Sequence, residues 1–379
     1  MLDPVWLYLV LGASGAALLF QGVAIVFAFE MPTLAPLPAS SGTTGPKVSV
    51  IVAARNEAVD LPMCLDGLLA QDYPNLEILV VDGDSTDGTR EVVKARAPWV
   101  TLLREPPLPP GWVGKNWACD VGARAASGTW LLFTDADLRY HPSTVRATLG
   151  WAEREGADLA TLAPRIETVG FWERVVLPFY TQMVLTYFRA PRVNRPKSSA
   201  AMANGQFTMV RRSAYDRVGG HAAIRSSVLE DVRLAQAFRR AGLSLRIAWA
   251  PDLIVTRMYR DRSEMFEGLL KNVHGTRYST LRQLGFLVGL VGGFLLPLAV
   301  LPIGLAWGVA GLAAWGAFLW LALFGKHAAF ARGSRTPARY GLLFPLAVAY
   351  YLVLIATSIG RGVRRRPLDW KGRRYPLET

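Results

Sequence analysis

The sequence predicts an α/β domain, a mostly parallel sheet with helices on both faces, carried between apolar helical segments. Apolar runs of strand length, VSVIVAA (48–54), LEILVV (76–81) and WLLF (130–133), alternate with stretches of helical length, the pattern of a parallel sheet with crossover helices. Each run closes on a polar motif, ARNE, DGDS or TDAD, and in such sheets ligands lie at the carboxyl ends of the strands. Long runs without a charge lie outside this middle region, at both ends of the chain.

Taken in order, Val5 to Phe29 is a run of 25 residues with no charge, enough at about 1.5 Å per helical residue to cross a hydrocarbon core of roughly 30 Å. No Lys or Arg precedes it, and it exceeds a signal-peptide apolar region, which favours an uncleaved anchor over a cleaved leader. Residues 1–30 are therefore expected as a transmembrane helix and 31–46, rich in Pro, Ser, Gly and Thr, as a linker. Strands are expected over 48–54, 76–81, 100–103 and up to TDAD, and helices over 61–71, 91–97 and 115–126, within one domain of residues 47–283. From Gln283 to Gly325, 43 residues carry no charge, about two crossings with a turn near Pro302 or Gly304. Tyr340 to Gly360 offers another, so 284–360 reads as C-terminal membrane segments and 361–379 as a basic tail. These segments conflict. Lys326 to Arg339 carries four basic residues and the tail from Arg361 carries seven; both belong in the cytoplasm by the positive-inside rule, yet a single crossing between them forbids it. Either one segment is re-entrant or interfacial, or the rule fails.

With 42 Lys plus Arg against 29 Asp plus Glu, the formal charge is +13, so nucleic acid, phosphate-rich ligands and anionic lipid are all candidate partners. The basic tail sits beside a membrane segment and lacks the interleaved aromatics of a single-strand binding platform, which argues against nucleic acid. Cys64 and Cys119 have no metal-ligand spacing, and two readings stay open for them, reduced thiols of a cytoplasmic domain or a pair.

TDADL (134–138) places Asp135 and Asp137 one residue apart behind an apolar strand. Alternate residues of an extended strand share a side, so the carboxylates repel unless a cation lies between them and a ligand. Hard divalent ions with oxygen ligands, Mg²⁺ or Mn²⁺, suit such a site and bridge phosphates. The competing reading is a turn in which both aspartates cap the helix starting near His141.

Five stretches in order, VSVIVAARNE (48–57), QDYPNLEILVVDGDSTDGT (71–89), GKNWACDVGARAASGTWLLFTDADL (114–138), ANGQFTMVRRSAYDRVGG (203–220) and LEDVRLAQAFRRAGLSL (229–245), resemble the family 2 glycosyltransferases, which have the Rossmann-like GT-A fold. The resembling region runs from about Pro46 to Asn272. LPPGWVGKNWA (108–118) and the flanking membrane segments are similar to membrane glycosyltransferases associated with carotenoid and hopanoid pathways.

The resemblance implies that Ala54, Glu57 and Asp82 hold the nucleotide base and that Lys115 neutralises the diphosphate as a point charge. It puts Asp135 near the ribose and makes Asp137, with Asp135, the metal site for Mg²⁺ or Mn²⁺. It assigns the catalytic base to Asp231, after Glu230, which would take the acceptor's hydroxyl proton. Read without the resemblance, Glu230 and Asp231 are first-turn acids favoured by a helix dipole, Lys115 is a solvated helix-start lysine, and Asp84 is a turn former. The chain also departs from the family pattern. Asp120 stands where many relatives have Asn, Ala237 where many have Arg, and the Q-x-x-R-W of processive synthases is missing after Asp231, which implies transfer of a single sugar.

Between Glu167 and Arg195, Phe171, Trp172, Phe179, Tyr180, Tyr187 and Phe188 precede Arg189, Arg192 and Arg195. Aromatics ending in basic residues suit a helix at the membrane interface, and a core helix fits equally; residues 263–283 are a second such candidate. The expected function is an inverting, metal-dependent, non-processive glycosyltransferase of the cell membrane with a cytoplasmic catalytic domain. It would move one sugar from a nucleotide sugar, a UDP-sugar by resemblance, to a membrane lipid hydroxyl of a carotenoid, hopanoid or other lipid. Two alternatives stay open, a polyprenyl-phosphate acceptor and a non-enzymatic basic protein attached to the bilayer.

Overall fold

The computed structural model describes residues 4–39, 45–275, 280–364, 368–370 and 373–375. Residues 1–3 of the expected anchor, 40–44 of the linker, 276–279 of the second interfacial candidate and 365–367, 371–372 and 376–379 of the basic tail lie outside the described residues.

The first helix, α1 (Pro4–Phe29), leads into the domain. There the strands are β1 (Val48–Ala54), β2 (Leu76–Asp82), β3 (Val100–Arg104), β4 (Trp130–Asp135), β5 (Leu138–Tyr140), β6 (Leu159–Ala163), β7 (Arg165–Ile166), β8 (Phe207–Arg211), β9 (Leu245–Trp249) and β10 (Ile254–Thr256). The helices between them are α2 (Leu61–Leu69), α3 (Thr89–Lys94), α4 (Gly114–Ala125), α5 (Thr144–Arg154), α6 (Phe171–Tyr187), α7 (Arg212–Arg217) and α8 (Glu230–Arg240). Seven strands form one sheet in the order β3-β2-β1-β4-β8-β6-β9. Only β8 runs against the rest, pairing antiparallel with β4 and β6, so the sheet is mainly parallel. A small second sheet joins β5, β10 and β7.

Both faces of the large sheet are covered, which is why its inner strands are apolar without alternation. One layer packs Leu61, Leu65 and Leu68 of α2 and Val145 and Leu149 of α5 against Val50, Val52 and Leu132. The opposite layer packs Ala118 and Ala123 of α4 and Leu234 and Phe238 of α8 against Ile51, Val81 and Leu131. Cys64 belongs to the first layer and Cys119 to the second, and both are free thiols. α4 lies close on the sheet because Gly122 has no side chain: a Cβ there would stand 2.4 Å from Ile51 Cγ2 and 3.1 Å from Val81 Cγ2. Gly122→Leu is expected to destabilise the domain by about 1–3 kcal/mol through overpacking. A melting temperature in detergent equal to the parent's would count against this packing.

The last part of the chain is helical. α9 (Arg262–Gly275) and α10 (Thr280–Leu290) flank residues 276–279; a π-helical segment (Val291–Leu295), α11 (Leu296–Ala306), α12 (Ala310–Gly333) and α13 (Phe344–Val363) follow. The element expected over 263–283 corresponds to α9 and the start of α10, on either side of residues 276–279. Among the described residues of this last part, three stretches, Leu281–Ala306, Ala310–Gly333 and Ala338–Val363, are long and apolar enough to cross a membrane. The expected turn near Pro302 or Gly304 lies instead at 307–309, where Gly308 adopts φ +66°. Pro302 stays inside α11. α6, the first interfacial candidate, buries Val175, Val176, Leu177 and Phe179 in one cluster with α9, α12 and α13. It therefore packs against membrane-type helices as well as against the domain.

Candidate active site

The carboxyl ends of β1 and β4, the start of α4 and the start of α8 surround one cavity of about 480 Å³. Ala54, Glu57, Lys115, Asp135, Asp137, Glu230 and Asp231 all line it. Asp137 and Asp231, far apart in sequence, thus face a shared space.

Lys115, in the first turn of α4, joins the two sides. Its Nζ lies 2.7 Å from Asp135 Oδ1 and 2.7 Å from Glu230 Oε1, and it donates to the carbonyl of Gly205 at 3.2 Å. Burial alone would weaken the ammonium, but Asp135 and then Glu230 outweigh it and hold Lys115 protonated well above the ordinary lysine range. Glu230, for the same reason, is pulled below its usual value by Lys115 against the effect of burial. Asp231 makes no ion pair among the described residues, and Lys115 only partly offsets the effects that raise its carboxyl. Burial first, then the neighbouring Glu230, push its carboxyl up to about 6, while it accepts from the backbone N–H of Gly205 at 2.8 Å and of Val232 at 2.7 Å. The pair therefore divides: Glu230 stays an ion-paired anchor, and Asp231 is a weakly acidic carboxyl able to take up a proton near neutral pH.

Asp135 ends β4, and Asp137 follows in the turn before β5. The helix-capping reading does not hold for the pair: α5 begins at Thr144 behind Ser143, with no side-chain cap. Asp137 accepts from Thr256 Oγ1 at 2.8 Å, and its other oxygen, Oδ1, is buried with no hydrogen-bond partner among the described residues. Burial, followed by the charge of Asp135, lifts its carboxyl to about 7. A buried carboxylate oxygen without a partner, beside a second carboxylate, is the donor set a hard divalent cation takes. Among the described residues no group of three or more His, Cys, Asp or Glu forms a closed metal cage, so such an ion would complete its shell with ligand oxygens or water, the habit of Mg²⁺-type sites.

Asp82 is placed differently from the others. It is buried at the end of β2 but does not line the cavity. Its carboxylate pairs with Arg90 Nε at 2.6 Å and accepts from the backbone of Ser85; Arg55, Gly83 and Glu105 form the wall nearby. Asp84 has φ +61° and an exposed side chain, as a turn former does. Asp120 is buried and pairs with Arg124 at 2.6 Å.

Sequence reasoning missed Gly205. A Cβ there would stand 2.8 Å from Glu230 Oε1, 3.1 Å from Lys115 Nζ and 3.2 Å from Asp231 Oδ2. The only hint was its place in ANGQ, inside a quoted motif. All three neighbours are side-chain tips, so the backbone tolerates a methyl group while the ion-paired cluster has to move. Gly205→Ala is expected to keep the parent's melting temperature within about 0.5 kcal/mol of stability, as substitutions outside packed contacts do, while losing roughly tenfold or more in turnover, because such sites tolerate little displacement. Unchanged turnover would show that the cluster does not need this clearance.

Beyond the acids the cavity becomes apolar. Met183, Val184, Phe188 and Met202 line it with Phe286 of α10 and Tyr351 and Ile355 of α13. Tyr180 accepts from Asn272 Nδ2 at 3.0 Å at the junction of the two halves.

Fold and cavity together define a mainly parallel α/β domain with an acid–lysine site at its strand ends and an apolar extension among membrane-type helices. Residues 49–219 match the family model Glycosyl transferase family 2. Over 235 residues it is 27% identical to a 4,4'-diaponeurosporenoate glycosyltransferase of Staphylococcus haemolyticus, covering 61% of this chain and 62% of that protein. A protein of the same name from Staphylococcus aureus is 24% identical over 219 residues, 56% of this chain and 57% of its own length. The chain thus spans less than two thirds of these curated relatives. Among solved structures it is similar to a mannosyltransferase from Pyrobaculum calidifontis in complex with GDP-Man and Mn²⁺, at 21% identity and a TM-score of 0.54, covering 93% of this chain and 97% of that one. That likeness extends the shared fold beyond the α/β domain to the helices around it.

Proposed function

We propose that this chain is an inverting glycosyltransferase that moves one sugar from a nucleotide sugar to a hydroxyl of a membrane lipid. The observation that carries the reading is the continuity of one cavity from Asp135, Asp137 and Lys115, past Asp231, to Phe286, Tyr351 and Ile355. A charged diphosphate suits the first end and a long apolar acceptor the second. The relatives named for diaponeurosporenoate support a long apolar lipid as the acceptor, and that name denotes a carboxylate, the kind of acceptor oxygen taken by the second reading below.

In this reading Lys115 places a fixed positive charge beside the diphosphate. Asp137 and Asp135 would hold Mg²⁺ or Mn²⁺, which supplies Lewis-acid neutralisation of the leaving group's charge; the Mn²⁺ in the mannosyltransferase complex supports such an ion. Glu230 fixes Lys115 on one side while Asp135 fixes it on the other. Asp231, held by the Gly205 and Val232 amides, accepts the proton of the acceptor hydroxyl as its oxygen bonds to the anomeric carbon and the nucleoside diphosphate leaves with the bonding electrons. Attack opposite the leaving group inverts that carbon. Asp82, tied to Arg90, serves as a support of the base-binding wall, with Arg55, Gly83, Ala54 and Glu57 at its surface.

A second reading has an acceptor oxygen that is already ionised, a polyprenyl phosphate or a lipid carboxylate. Lys271 favours it, since it lines the cavity and lies close enough to Glu230 to lower its carboxyl. Incubation of the purified protein with radiolabelled UDP-sugars and GDP-sugars and a membrane lipid extract, followed by mass analysis of the products, tests the proposal. A single added hexose on a hydroxylated lipid supports it; polymer, or no transfer from any nucleotide sugar, overturns it.

A further inference from the structure

Of the three C-terminal helical stretches long enough to cross a membrane, Leu281–Ala306 and Ala310–Gly333 pack as a hairpin with α1 beside it: Leu7, Val10 and Leu11 of α1 join Ile303, Val309 and Leu312 around the turn at 307–309. The other end of this hairpin meets the α/β domain. Phe330, in the last turns of α12, packs against the layer that holds Trp249, Thr336 hydrogen-bonds Thr168 at 3.1 Å, and Arg335 pairs with Asp252. At the end of α1, Glu30 pairs with Arg195 at 2.8 Å.

The third stretch behaves differently. At its start, Tyr340 stacks under the Arg174 guanidinium of α6 at 5.4 Å and lies against Phe171. At its other end, Arg361 pairs with Glu267 of α9 through two bonds of 3.0 and 3.2 Å. Between them Tyr350 meets Trp172 and Phe266, and Tyr351 meets Phe179. A helix standing upright would carry Arg361 about 30 Å from the level of Tyr340, to the far surface of the bilayer. Glu267 cannot be there. α9 bears Arg262, Glu264, Glu267 and Lys271, too many charges for a hydrocarbon core. The outward face of α13 and the turn before it is nevertheless mainly apolar: Leu342, Leu346, Ala349, Val353, Ala356 and Val363 are exposed along one stripe, with Val353 at 56%.

We infer that α13 does not cross. It lies in the membrane plane on the side of the α/β domain, its inner face clamped to α6 and α9 and its apolar stripe set into the lipid of that leaflet. Continuity with the exposed apolar faces of the hairpin (Val288, Leu305 and Leu321) makes the bilayer the occupant of the stripe. The basic residues at its two ends, Arg335 and Arg339 before and Arg361 and Arg364 after, then share one membrane face, as the positive-inside rule asks. The conflict between the basic loop and the basic tail disappears, because no crossing separates them. Tyr351 and Ile355 on its inner face wall the apolar end of the cavity, so this helix sets that end at headgroup depth. The inference stands on packing and charge, independent of the reaction proposed above.

The test places single cysteines at Ser334, Arg364 and Trp307 of the full chain and labels sealed membrane vesicles with an impermeant maleimide, the buried native thiols serving as a blank. Ser334→Cys and Arg364→Cys are expected to react from the same face and Trp307→Cys only from the other. Labelling of Arg364→Cys together with Trp307→Cys overturns the inference. Should a cysteine variant fail to fold, a C-terminal epitope on the otherwise unaltered chain gives a second measurement. Protease added to the face bearing the α/β domain is expected to remove the epitope, and protection from that face overturns the placement.

Discussion

Asp231→Asn is expected to abolish sugar transfer to a hydroxyl acceptor, with a loss of roughly 10² to 10⁴ in kcat, the range that a positioned general base supplies. The substitution keeps the shape and one of the two backbone amide contacts, because Gly205 and Val232 donate to different carboxylate oxygens and an amide offers a single acceptor oxygen, and it removes the ability to take a proton. Donor binding should survive, because the groups proposed for the diphosphate, Lys115, Asp135 and Asp137, are untouched. The parent's pH profile carries the same information: with the carboxyl raised to about 6, kcat should climb with unit slope below pH 6 and level off above it, and the residual rate of the variant should lack that limb. Stability should move the opposite way. A carboxyl whose folded value lies above its unfolded 3.8 binds its proton more tightly in the folded chain, so its contribution is full below pH 4 and fades as pH rises through 6. A mild effect on transfer, within threefold or so, would favour an acceptor oxygen that is already ionised, since such an oxygen needs little help from a base.

Much of this arrangement was legible in the residues, and the parts that were not have physical reasons. The first strands announced themselves because strands buried on both faces are apolar throughout, as VSVIVAA is, and the expected 48–54 matches β1. The acids that share the cavity come from motifs at strand ends and a helix start, where fold topology limits where they can point. Gly205 was not legible, since its role is the space it leaves for Lys115, Glu230 and Asp231, and a vacancy has no side chain to read. Asp82 carried a motif role, but its partner Arg90 lies eight residues on, and nothing in DGDS shows that the carboxylate is already engaged. Hydropathy could not separate α12 from α13, because both are long and apolar. What distinguishes them is the pairing of Arg361 with Glu267, a tertiary contact between residues far apart in sequence. The basic residues did register the problem, as a conflict over sidedness.

Asp137→Asn should cost at least about a hundredfold in transfer, the scale of the several kcal/mol of charge stabilisation that a bound metal ion provides. It should also erase a physical signature that needs no turnover. Saturating Mn²⁺ at about 100 times its Kd stabilises a protein that binds it by roughly 2.7 kcal/mol, so the parent's melting temperature in detergent should rise with the ion. The variant's should not, whereas Asp231→Asn should keep the full shift. The affinity should depend on pH, because only the ionised carboxylate ligates. With Asp137 raised to about 7 by burial and by Asp135, each bound ion displaces protons below pH 7, and Mn²⁺ should bind more weakly as pH falls through that value. In the absence of metal the sign reverses for stability. A carboxyl raised above its unfolded 3.8 loses its stabilising contribution as pH rises through 7, so the metal-free variant should be at least as stable as the metal-free parent at pH 8. A Mn²⁺ shift of equal size in Asp137→Asn and the parent would remove Asp137 from the metal site and leave its buried, unpartnered oxygen without the role assigned to it.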